Sequence, residues 1–376
     1  MSTVIKNGLV LRADCSGFEK LDILIDNDKI VNIGKSLDSE NIIDATGKYV
    51  IPGFIDIHNH GSVGVNFCKD KVFDEALIYS AKHGVTSVAI TISTRPLDDI
   101  IAQIQVVKSM PEIDCAAASV DAIHIEGPFI AASRKGAMIS PDSEATVDNF
   151  RLMADAAGEL LKVMTIAPDR ENAPEIIKEG VCRGIRMSIG HTDADYETAM
   201  KAIDAGATGA THTFNAMRPL NHRDPGVLGA VLTDGRVVCE VICDMVHLHS
   251  ATVKLIYSAK GRDRMIFVSD AGYLSGLGDG IYGDDGKVRI SKDGVIKNQD
   301  GVIAGSAYIM TYGAKRLLEL GISLADVSAM GSRNPARELG LLDKTGTLEC
   351  GKRADIIVCD EKLEISAVFA AGKRAV

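Results

Sequence analysis

Two histidines separated by one residue, His58 and His60, have the spacing in this sequence that points most directly to chemistry. They close an apolar run that reads as a buried strand, and side chains two positions apart on a strand point to the same side. Two neutral imidazoles directed at one point are what zinc or a similar divalent cation requires. A lone His-x-His is as common in structural positions, so the prediction of a metal site depends on the rest of the chain.

Similar ligand-type residues follow other apolar strand candidates along the chain. By strand, they are Glu126 (third), His191 (fifth), His212 and Asn215 (sixth), His247 (seventh) and Asp270 (eighth). Together with His58 and His60, five of the nine histidines thus fall at four predicted strand ends. A chance distribution would scatter the histidines along the chain. Active sites of parallel barrels lie at the carboxyl ends of the strands, so these residues are expected on one rim. The candidate ligands for one or two divalent ions are His58, His60, His191, His212, Glu126 and Asp270.

Each of these residues also has a purely structural interpretation. Glu126 could pair with a base in the core, and Asp270 could cap the segment that follows it. His191 and His212 could each be core histidines, although two such histidines at neighbouring strand ends favour a shared site. His124 shares the face of Glu126 one layer deeper, where packing or support of a ligand is expected.

The elements that must position these residues begin near residue 53, where apolar strand candidates alternate with amphipathic helical segments. The strand candidates end near Ile57, Thr91, Ile125, Ile166, Ile189, Thr211, Val246 and Val268. Eight strand–helix units over roughly 280 residues match the count and length of a (β/α)8 barrel. We therefore predict an α/β fold of this TIM-like kind, with an open doubly wound sheet as the alternative.

Short strand-like runs separated by turns occupy both ends of the chain. They cover the first ~50 residues and resume after Arg337. The sequence therefore predicts a small β domain built from residues 1–52 and 340–376. The barrel, residues 53–339, would be inserted between its two parts.

Composition and charge limit the partners of the chain. An apolar fraction of 46% and a charged fraction of 24% are typical of a globular protein, and no apolar run approaches the ~20 residues of a membrane span. The net charge of −10 makes nucleic acid and anionic membranes unsuitable partners. The eight cysteines form no CxxC pair, which favours free thiols in a reducing compartment, and we expect a cytoplasmic protein.

Several motifs together resemble the amidohydrolase superfamily and, within it, the N-acetylglucosamine-6-phosphate deacetylases. The matching segments are residues 52–56, 124–128, 190–192, 212–217, 223–226, 244–247, 268–271, 304–307 and 334–337. The Glu-Gly-Pro-Phe and Phe-Asn-Ala-Met segments, in this order, are specific to the family. The resemblance covers nearly the whole chain.

The resemblance implies a barrel flanked by a β-sandwich made from both termini. It implies Glu126, His191 and His212 as the main metal ligands. Members with a complete His-x-His can hold a second metal through His58, His60 and a bridging Glu126, so one or two ions are expected here. Zinc or iron are the first candidates for the metal, and mixed imidazole and carboxylate ligands also accept manganese or cobalt.

The expected chemistry is the hydrolysis of an amide. A bound divalent ion lowers the pKa of water toward ~7, and Asp270 can take the proton of that water and return it to the departing amine. His124 or His247 can help to stabilise the oxyanion. A phosphate would be held by Asn215 and the backbone of Ala216.

Arg223 completes the expected substrate contacts, since a guanidinium binds phosphate in a bidentate manner. The resemblance implies that Arg223 reaches across the interface of a homodimer and that His247 contacts the sugar. Such a local basic cluster would reconcile a phosphorylated amino sugar with an acidic chain.

The expected reaction is the conversion of N-acetylglucosamine 6-phosphate to glucosamine 6-phosphate and acetate. The same reaction on the galactosamine epimer is the nearest alternative, since one hydroxyl separates the two sugars. Another amidohydrolase reaction, such as a deamination or a dihydroorotase-like ring opening, is more distant. A catalytically silent scaffold is a further alternative, against which the complete set of ligands argues.

Overall fold

The structure, a computed structural model, describes residues 2–140, 143–284 and 287–376. The strands in chain order are β1 (Thr3–Leu11), β2 (Phe18–Asp26), β3 (Lys29–Gly34), β4 (Asn41–Asp44), β5 (Tyr49–Pro52), β6 (Phe54–Asn59), β7 (Gly61–Ser62), β8 (Val65–Asn66), β9 (Val85–Ser93), β10 (Ser119–Glu126), β11 (Leu161–Ile166), β12 (Arg186–Ile189), β13 (Gly209–Ala210), β14 (Val238–Ile242), β15 (Met265–Val268), β16 (Gly280–Asp284), β17 (Lys287–Lys292), β18 (Val295–Asn298), β19 (Ile303–Ser306), β20 (Ile356–Cys359), β21 (Ile365–Ala370) and β22 (Lys373–Arg374). The helices are α1 (Asp74–Lys82), α2 (Leu97–Lys108), α3 (Val147–Ala157), α4 (Ala173–Cys182), α5 (Tyr196–Asp204), α6 (Gly226–Thr233), α7 (Ser250–Lys260), α8 (Met310–Glu319), α9 (Leu324–Ser328) and α10 (Asn334–Glu338).

A parallel sheet of eight strands forms the barrel, in the order β6-β9-β10-β11-β12-β13-β14-β15. Hydrogen bonds just past the last strand bring the two edges together, since Asp270 N donates to His58 O (2.9 Å) and His60 N to Ala271 O (2.7 Å). A helix follows each strand on the way to the next, from α1 after β6 to α8 after β15. The predicted (β/α)8 fold is confirmed.

Side chains along the barrel strands point alternately into two hydrophobic cores, one inside the barrel and one between the barrel and its helices. On β14, Val238 and Ile242 face the barrel interior, whereas Cys239 and Val241 pack toward the surrounding helices. Ala336 of α10 and the neighbouring Leu339 join the interior cluster. The barrel interior is therefore filled by side chains, and the cavity described below is confined to the rim at the carboxyl ends.

A second sheet contains strands from both ends of the chain, in the order β22-β21-β20-β5-β1-β2-β3. Strand β1 divides the sheet, because its first half pairs with β4 and its second half with β5. The apolar side chains of this sheet form a separate core that includes Ile5, Ile25, Val50 and Phe369. The exact residues at which the domains divide remain a prediction.

Gly53 alone separates β5 of the terminal sheet from β6 of the barrel. A Cβ atom at this position would lie 2.1 Å from Thr86 Oγ1 on β9, so any larger residue would clash with the neighbouring barrel strand. The close approach fixes where β6 begins and therefore where its carboxyl end presents His58.

A smaller sheet, β16-β17-β18-β19, lies in the connection between β15 and α8. Ser306 at the end of β19 anchors it to the rim, since its backbone N–H donates to Asp270 O and its hydroxyl to Asp244 Oδ2, both at 2.8 Å. The sheet thus adjoins the carboxyl ends of the last two barrel strands. We call it the rim sheet.

The end of the seventh barrel strand differs from its predicted place near Val246. Strand β14 ends at Ile242, and a turn follows in which Asp244 Oδ1 accepts hydrogen bonds from the backbone of Val246 and His247, both at 2.9 Å. The apolar side chains in this turn extended the strand pattern beyond the strand itself. The aspartate–backbone turn is what places His247 at the rim.

All eight cysteines are free, and three of them, Cys115, Cys182 and Cys350, are exposed. Among the residues that the structure describes, no helix has both the length and the apolar character needed to span a membrane.

Candidate active site

Four imidazoles surround the carboxylate of Glu126 at the carboxyl ends of the barrel strands. Glu126 Oε1 lies 3.0 Å from His212 Nε2, 3.1 Å from His191 Nε2 and 3.3 Å from His58 Nε2, and Oε2 lies 3.3 Å from His60 Nε2. Two groups of potential ligand atoms result, each within 4.8 Å, and Glu126 belongs to both; the groups are His58–His60–Glu126 and Glu126–His191–His212. The structure therefore brings together the five residues that the resemblance implies as metal ligands.

Three residues of the site have an unusual backbone conformation. His191, His212 and Asp270 have φ angles of 48°, 29° and 48°, in the left-handed region that non-glycine residues seldom adopt. Such residues typically cost of order 1–3 kcal/mol each and are concentrated at functional sites. The strand ends are therefore shaped by the site and not by local preference.

The arrangement of the imidazole nitrogens fits a cation. His191 Nε2 and His212 Nε2 lie 2.9 Å apart, and His58 Nε2 and His60 Nε2 lie 3.2 Å apart. Two neutral imidazoles can approach this closely only if a proton or a metal ion lies between their lone pairs. Converging Nε2 atoms around a buried carboxylate are the donor set that divalent transition metals prefer.

Electrostatics in the cluster also favour an added positive charge. Burial disfavours a charged His58, yet the carboxylates of Glu126 and Asp270 outweigh it and raise the pKa of His58 to about 10. Burial likewise disfavours a charged Glu126, but the surrounding imidazoles, His58 foremost, hold its pKa well below the usual range. The two carboxylates thus hold a proton on an imidazole here, and a divalent cation could take its place.

The opposite ring nitrogens of these histidines have different partners. His191 Nδ1 lies 2.8 Å from Arg134 O, and His60 Nδ1 lies 3.1 Å from Thr91 O. Both carbonyls fix the tautomer whose free lone pair is on Nε2. His58 Nδ1 faces Glu240 Oε2 instead, at 3.6 Å.

Asp270, the predicted proton carrier, lies beside the pair formed by His58 and His60. Its Oδ1 atom is 3.5 Å from His58 Nε2 and 3.4 Å from His60 Nε2. Burial opposes its charge, but His58 and His60 lower the pKa of Asp270 below its usual range. The group is therefore an ionised base that borders open space.

A cavity of about 630 Å³ opens at this rim. The predicted site residues on its wall are His60, Glu126, His191, His212, Asn215, Ala216, His247 and Asp270. His58 is fully buried behind them. The volume is within the range of small-molecule sites.

His124 was expected either to pack beneath Glu126 or to help stabilise the oxyanion as a substrate contact, and it is not on the cavity wall. It is fully buried, its ring packs 4.7 Å from the His58 ring, and its Nε2 atom lies 2.8 Å from Thr165 Oγ1. Burial and the charge of His58 lower the pKa of His124 to about 3, so the ring is neutral. Its position one residue pair deeper on β10 gives it a packing role beneath the cluster.

Arg223 is likewise absent from the cavity wall. It is exposed in the loop before α6, where its backbone N–H donates to Asn221 Oδ1 at 3.0 Å. A single chain therefore does not bring Arg223 to the cavity. The expectation that it serves the site of a second copy remains a prediction.

His247 is positioned by a carboxylate. Its Nδ1 atom lies 2.8 Å from Asp244 Oδ2, and that same oxygen accepts the hydroxyl hydrogen of Ser306. Burial opposes a charged ring, but Asp244 raises the pKa of His247 above its usual value. The rim sheet, the turn after β14 and this imidazole thus form one hydrogen-bonded unit.

Sequence reasoning missed several residues at or beneath the cavity. Arg95, Cys68 and Arg289 line the wall, and the Arg95 guanidinium donates to Cys68 O at 2.7 Å. Their signals were weak, since each is a single residue in a loop or a polar strand. Glu240 and Arg186 carried a clearer signal, because each is a charged residue on a buried barrel strand.

Comparison with known proteins identifies the family of this chain. The sequence profile of the amidohydrolase family matches residues 49–375. The N-acetylglucosamine-6-phosphate deacetylase of Bacillus subtilis is 34% identical over 337 residues, which are 87% of this chain and 84% of that protein. The N-acetylgalactosamine-6-phosphate deacetylase of Escherichia coli O157:H7 is 31% identical over 340 residues, covering 89% and 90% of the two chains.

A solved structure extends the likeness to three dimensions. An aspartate-to-alanine mutant of the N-acetyl-D-glucosamine-6-phosphate deacetylase of Mycobacterium smegmatis, in complex with N-acetyl-D-glucosamine-6-phosphate, superposes with a TM-score of 0.89 at 30% identity. The superposition covers 100% of this chain and 99% of that one. The barrel, the terminal sheet and their connections are therefore shared.

Proposed function

The chain belongs to the amidohydrolase family, and from this membership we propose that it hydrolyses the acetamide of N-acetylglucosamine 6-phosphate to glucosamine 6-phosphate and acetate. The observation that carries the proposal is the convergence of four imidazoles on Glu126 beside Asp270 in a cavity. Relatives that span nearly all of the chain and bear the name of this activity support it.

Glu126, His191 and His212 would hold a divalent ion, and His58, His60 and the shared Glu126 would hold a second. Zinc or iron are the first candidates, and manganese or cobalt suit the same ligands. When bound, such an ion lowers the pKa of water toward ~7 and polarises the amide carbonyl.

Asp270 performs the proton transfers. Its carboxylate removes a proton from the attacking water as the C–O bond forms. The acid then delivers this proton to the nitrogen as the C–N bond breaks, so that the amine leaves neutral. His247 is the remaining imidazole on the cavity wall, and it serves the sugar or the developing oxyanion.

The phosphate occupies the turn at Asn215 and Ala216. Both residues line the cavity, and Ala216 has a positive φ of 52°, a conformation found in anion-binding turns. Arg223 of a second copy completes the phosphate contact, which makes the protein a homodimer.

A mixing experiment tests this shared site. Arg223→Ala and Asp270→Asn chains are each impaired, but a mixed dimer contains one site with an intact Asp270 and an intact Arg223 from the other chain. Re-equilibrated mixtures should recover up to about a quarter of wild-type activity. A mixture no more active than the average of its two components would reject the crossing arginine.

The sugar epimer is decided by assay. Purified protein is given both N-acetylated hexosamine 6-phosphates, and acetate release is measured. We expect a higher kcat/KM for the gluco epimer. Higher kcat/KM for the galacto epimer would move the assignment to the alternative that the Escherichia coli O157:H7 relative represents, and release from neither would favour another amidohydrolase reaction or a silent scaffold.

A further inference from the structure

A line of alternating charges runs through the barrel interior beneath the metal ligands. Arg186 on β12 donates from Nη1 to Glu240 Oε1 at 2.5 Å and lies 3.3 Å, through Nε, from Glu338 Oε2 on α10. Glu240 on β14 in turn faces His58. Arg186, Glu240 and His58 are all buried, so none of these charges is screened by water.

Two atoms in this line lack a hydrogen bond that their surroundings would allow. His58 Nδ1 and Glu240 Oε2 are buried and have no hydrogen-bond partner within the described parts of the chain, yet they face each other at 3.6 Å. Leaving a buried polar atom without a hydrogen-bond partner is unfavourable. A small rotation of the His58 ring would close this contact, with Nδ1–H as the donor and the carboxylate as the acceptor.

We propose that Glu240 is a positioning residue that makes the His58–His60–Glu126 group able to hold a cation. By accepting the Nδ1 hydrogen it fixes the tautomer of His58, so that the Nε2 lone pair points to the site shared with Glu126. The inference rests on the metal centre of the proposed function, and it concerns only the second of its two ligand groups.

The partner of His58 differs in kind from those of His60 and His191. His60 and His191 are oriented by neutral backbone carbonyls, of Thr91 and Arg134. A carboxylate in that place makes the imidazole a stronger electron donor and adds negative charge near the ion. Glu240 therefore contributes to cation affinity without touching the cation.

Arg186 offsets the unfavourable burial of the Glu240 carboxylate. Burial disfavours the charge of Glu240, but the Arg186 guanidinium, whose Nη1 atom lies 2.5 Å from Glu240 Oε1, compensates for it. One oxygen serves Arg186 and the other is left for His58. Glu338 Oε2 lies 3.3 Å from Nε of the same guanidinium.

The chain offers a matched pair of variants. Glu240→Gln and Glu338→Gln each replace one of the two carboxylates that contact Arg186 with a neutral amide. Only Glu240→Gln changes the partner of His58. Metal-free protein is titrated with zinc alone, and bound zinc per chain is measured after removal of free ion. No substrate is involved, so a different substrate for the enzyme would leave the outcome unaffected.

Wild type and Glu338→Gln should bind two zinc ions per chain. Glu240→Gln should bind one ion with unchanged affinity and the other roughly 10–100-fold more weakly. Equal affinities in Glu240→Gln and wild type would overturn the proposal, as would a single ion in the wild type. An equal loss of zinc affinity in Glu338→Gln would show that the effect is transmitted through Arg186 and not through His58. That result would also overturn the proposal.

A separate readout excludes a general loss of structure. Thermal unfolding of the metal-free variants reports folding. If Glu240→Gln does not fold, Glu240→Asp retains the charge at a greater distance, and it should weaken the same single ion; unchanged affinity there would reject the role.

Discussion

Asp270 has the most demanding chemical role among the site residues, since it must change its protonation state twice in each turnover. Its position beside His58 and His60 keeps it ionised and ready to accept a proton. Replacing the carboxylate with an amide of equal size removes this capacity and leaves the packing intact. The expected consequence is a loss of rate without a comparable loss of binding.

Asp270→Asn should lower kcat by roughly 10²–10⁴-fold, the usual contribution of a general acid–base group, with a much smaller change in KM. Steady-state kinetics with N-acetylglucosamine 6-phosphate measures both, and metal content measured on the same samples serves as the control. A variant with full metal content and wild-type kcat would exclude Asp270 as the proton carrier.

Single residues differed in how well they could be foreseen. His191, His212 and Glu126 stand in short motifs at strand ends, where residue type and position carry the information. Glu240 is a lone charge on β14, and nothing local shows that it faces His58 on a strand far away in sequence. Partners of this kind are brought together by the closure of the barrel, and the spacing of residues along the sequence does not reveal them.

At the scale of elements, the barrel strands were predictable because each is a buried apolar run followed by a polar turn. The rim sheet was not, since β16 to β19 are short and carry many polar residues. Their stability comes from pairing with one another and from the anchor at Ser306. The sheet nevertheless supplies Arg289 to the cavity wall, so the part that was hardest to predict contributes to the site.

Arg289→Ala should raise KM for N-acetylglucosamine 6-phosphate by roughly tenfold or more, because a hydrogen bond to a charged group is worth ≈ 1.5–3 kcal/mol. Lys292→Ala is the matched control, since it removes an exposed cation from the same strand away from the cavity. Unphosphorylated N-acetylglucosamine should respond little to either change. Equal KM values in the two variants would remove Arg289 from the substrate contacts.

At the scale of the whole molecule, an ion-pair cluster joins the barrel to the terminal sheet. Asp121 on β10 accepts hydrogen bonds from Arg353, just before β20, at 2.7 and 3.0 Å, and from Lys344 Nζ at 2.7 Å. Burial opposes the charge of Asp121, but Arg353 and then Lys344 lower its pKa to about 2. Protonation of this one carboxyl should therefore weaken the connection between the two sheets.

The sign of the effect follows from the lowered pKa. The unfolded chain binds the proton near the ordinary value of 3.8 and the folded chain only near 2, so stability is present above the first value and lost as pH falls toward the second. Relative to Asp121→Asn, the wild type should lose about 1 kcal/mol of unfolding free energy between roughly pH 5 and pH 3. Urea unfolding of both proteins without metal measures this, and parallel pH profiles would contradict it.

The central claim is that the gathered imidazoles and carboxylates hold a divalent ion on which deacetylation depends. The most direct measurement follows acetate release from N-acetylglucosamine 6-phosphate by the protein after chelation and again after addition of zinc or ferrous ion. We expect activity to disappear with the metal and to return in proportion to the ion bound. Full activity in protein shown to be metal-free, or no activity with the metal restored, would contradict the account.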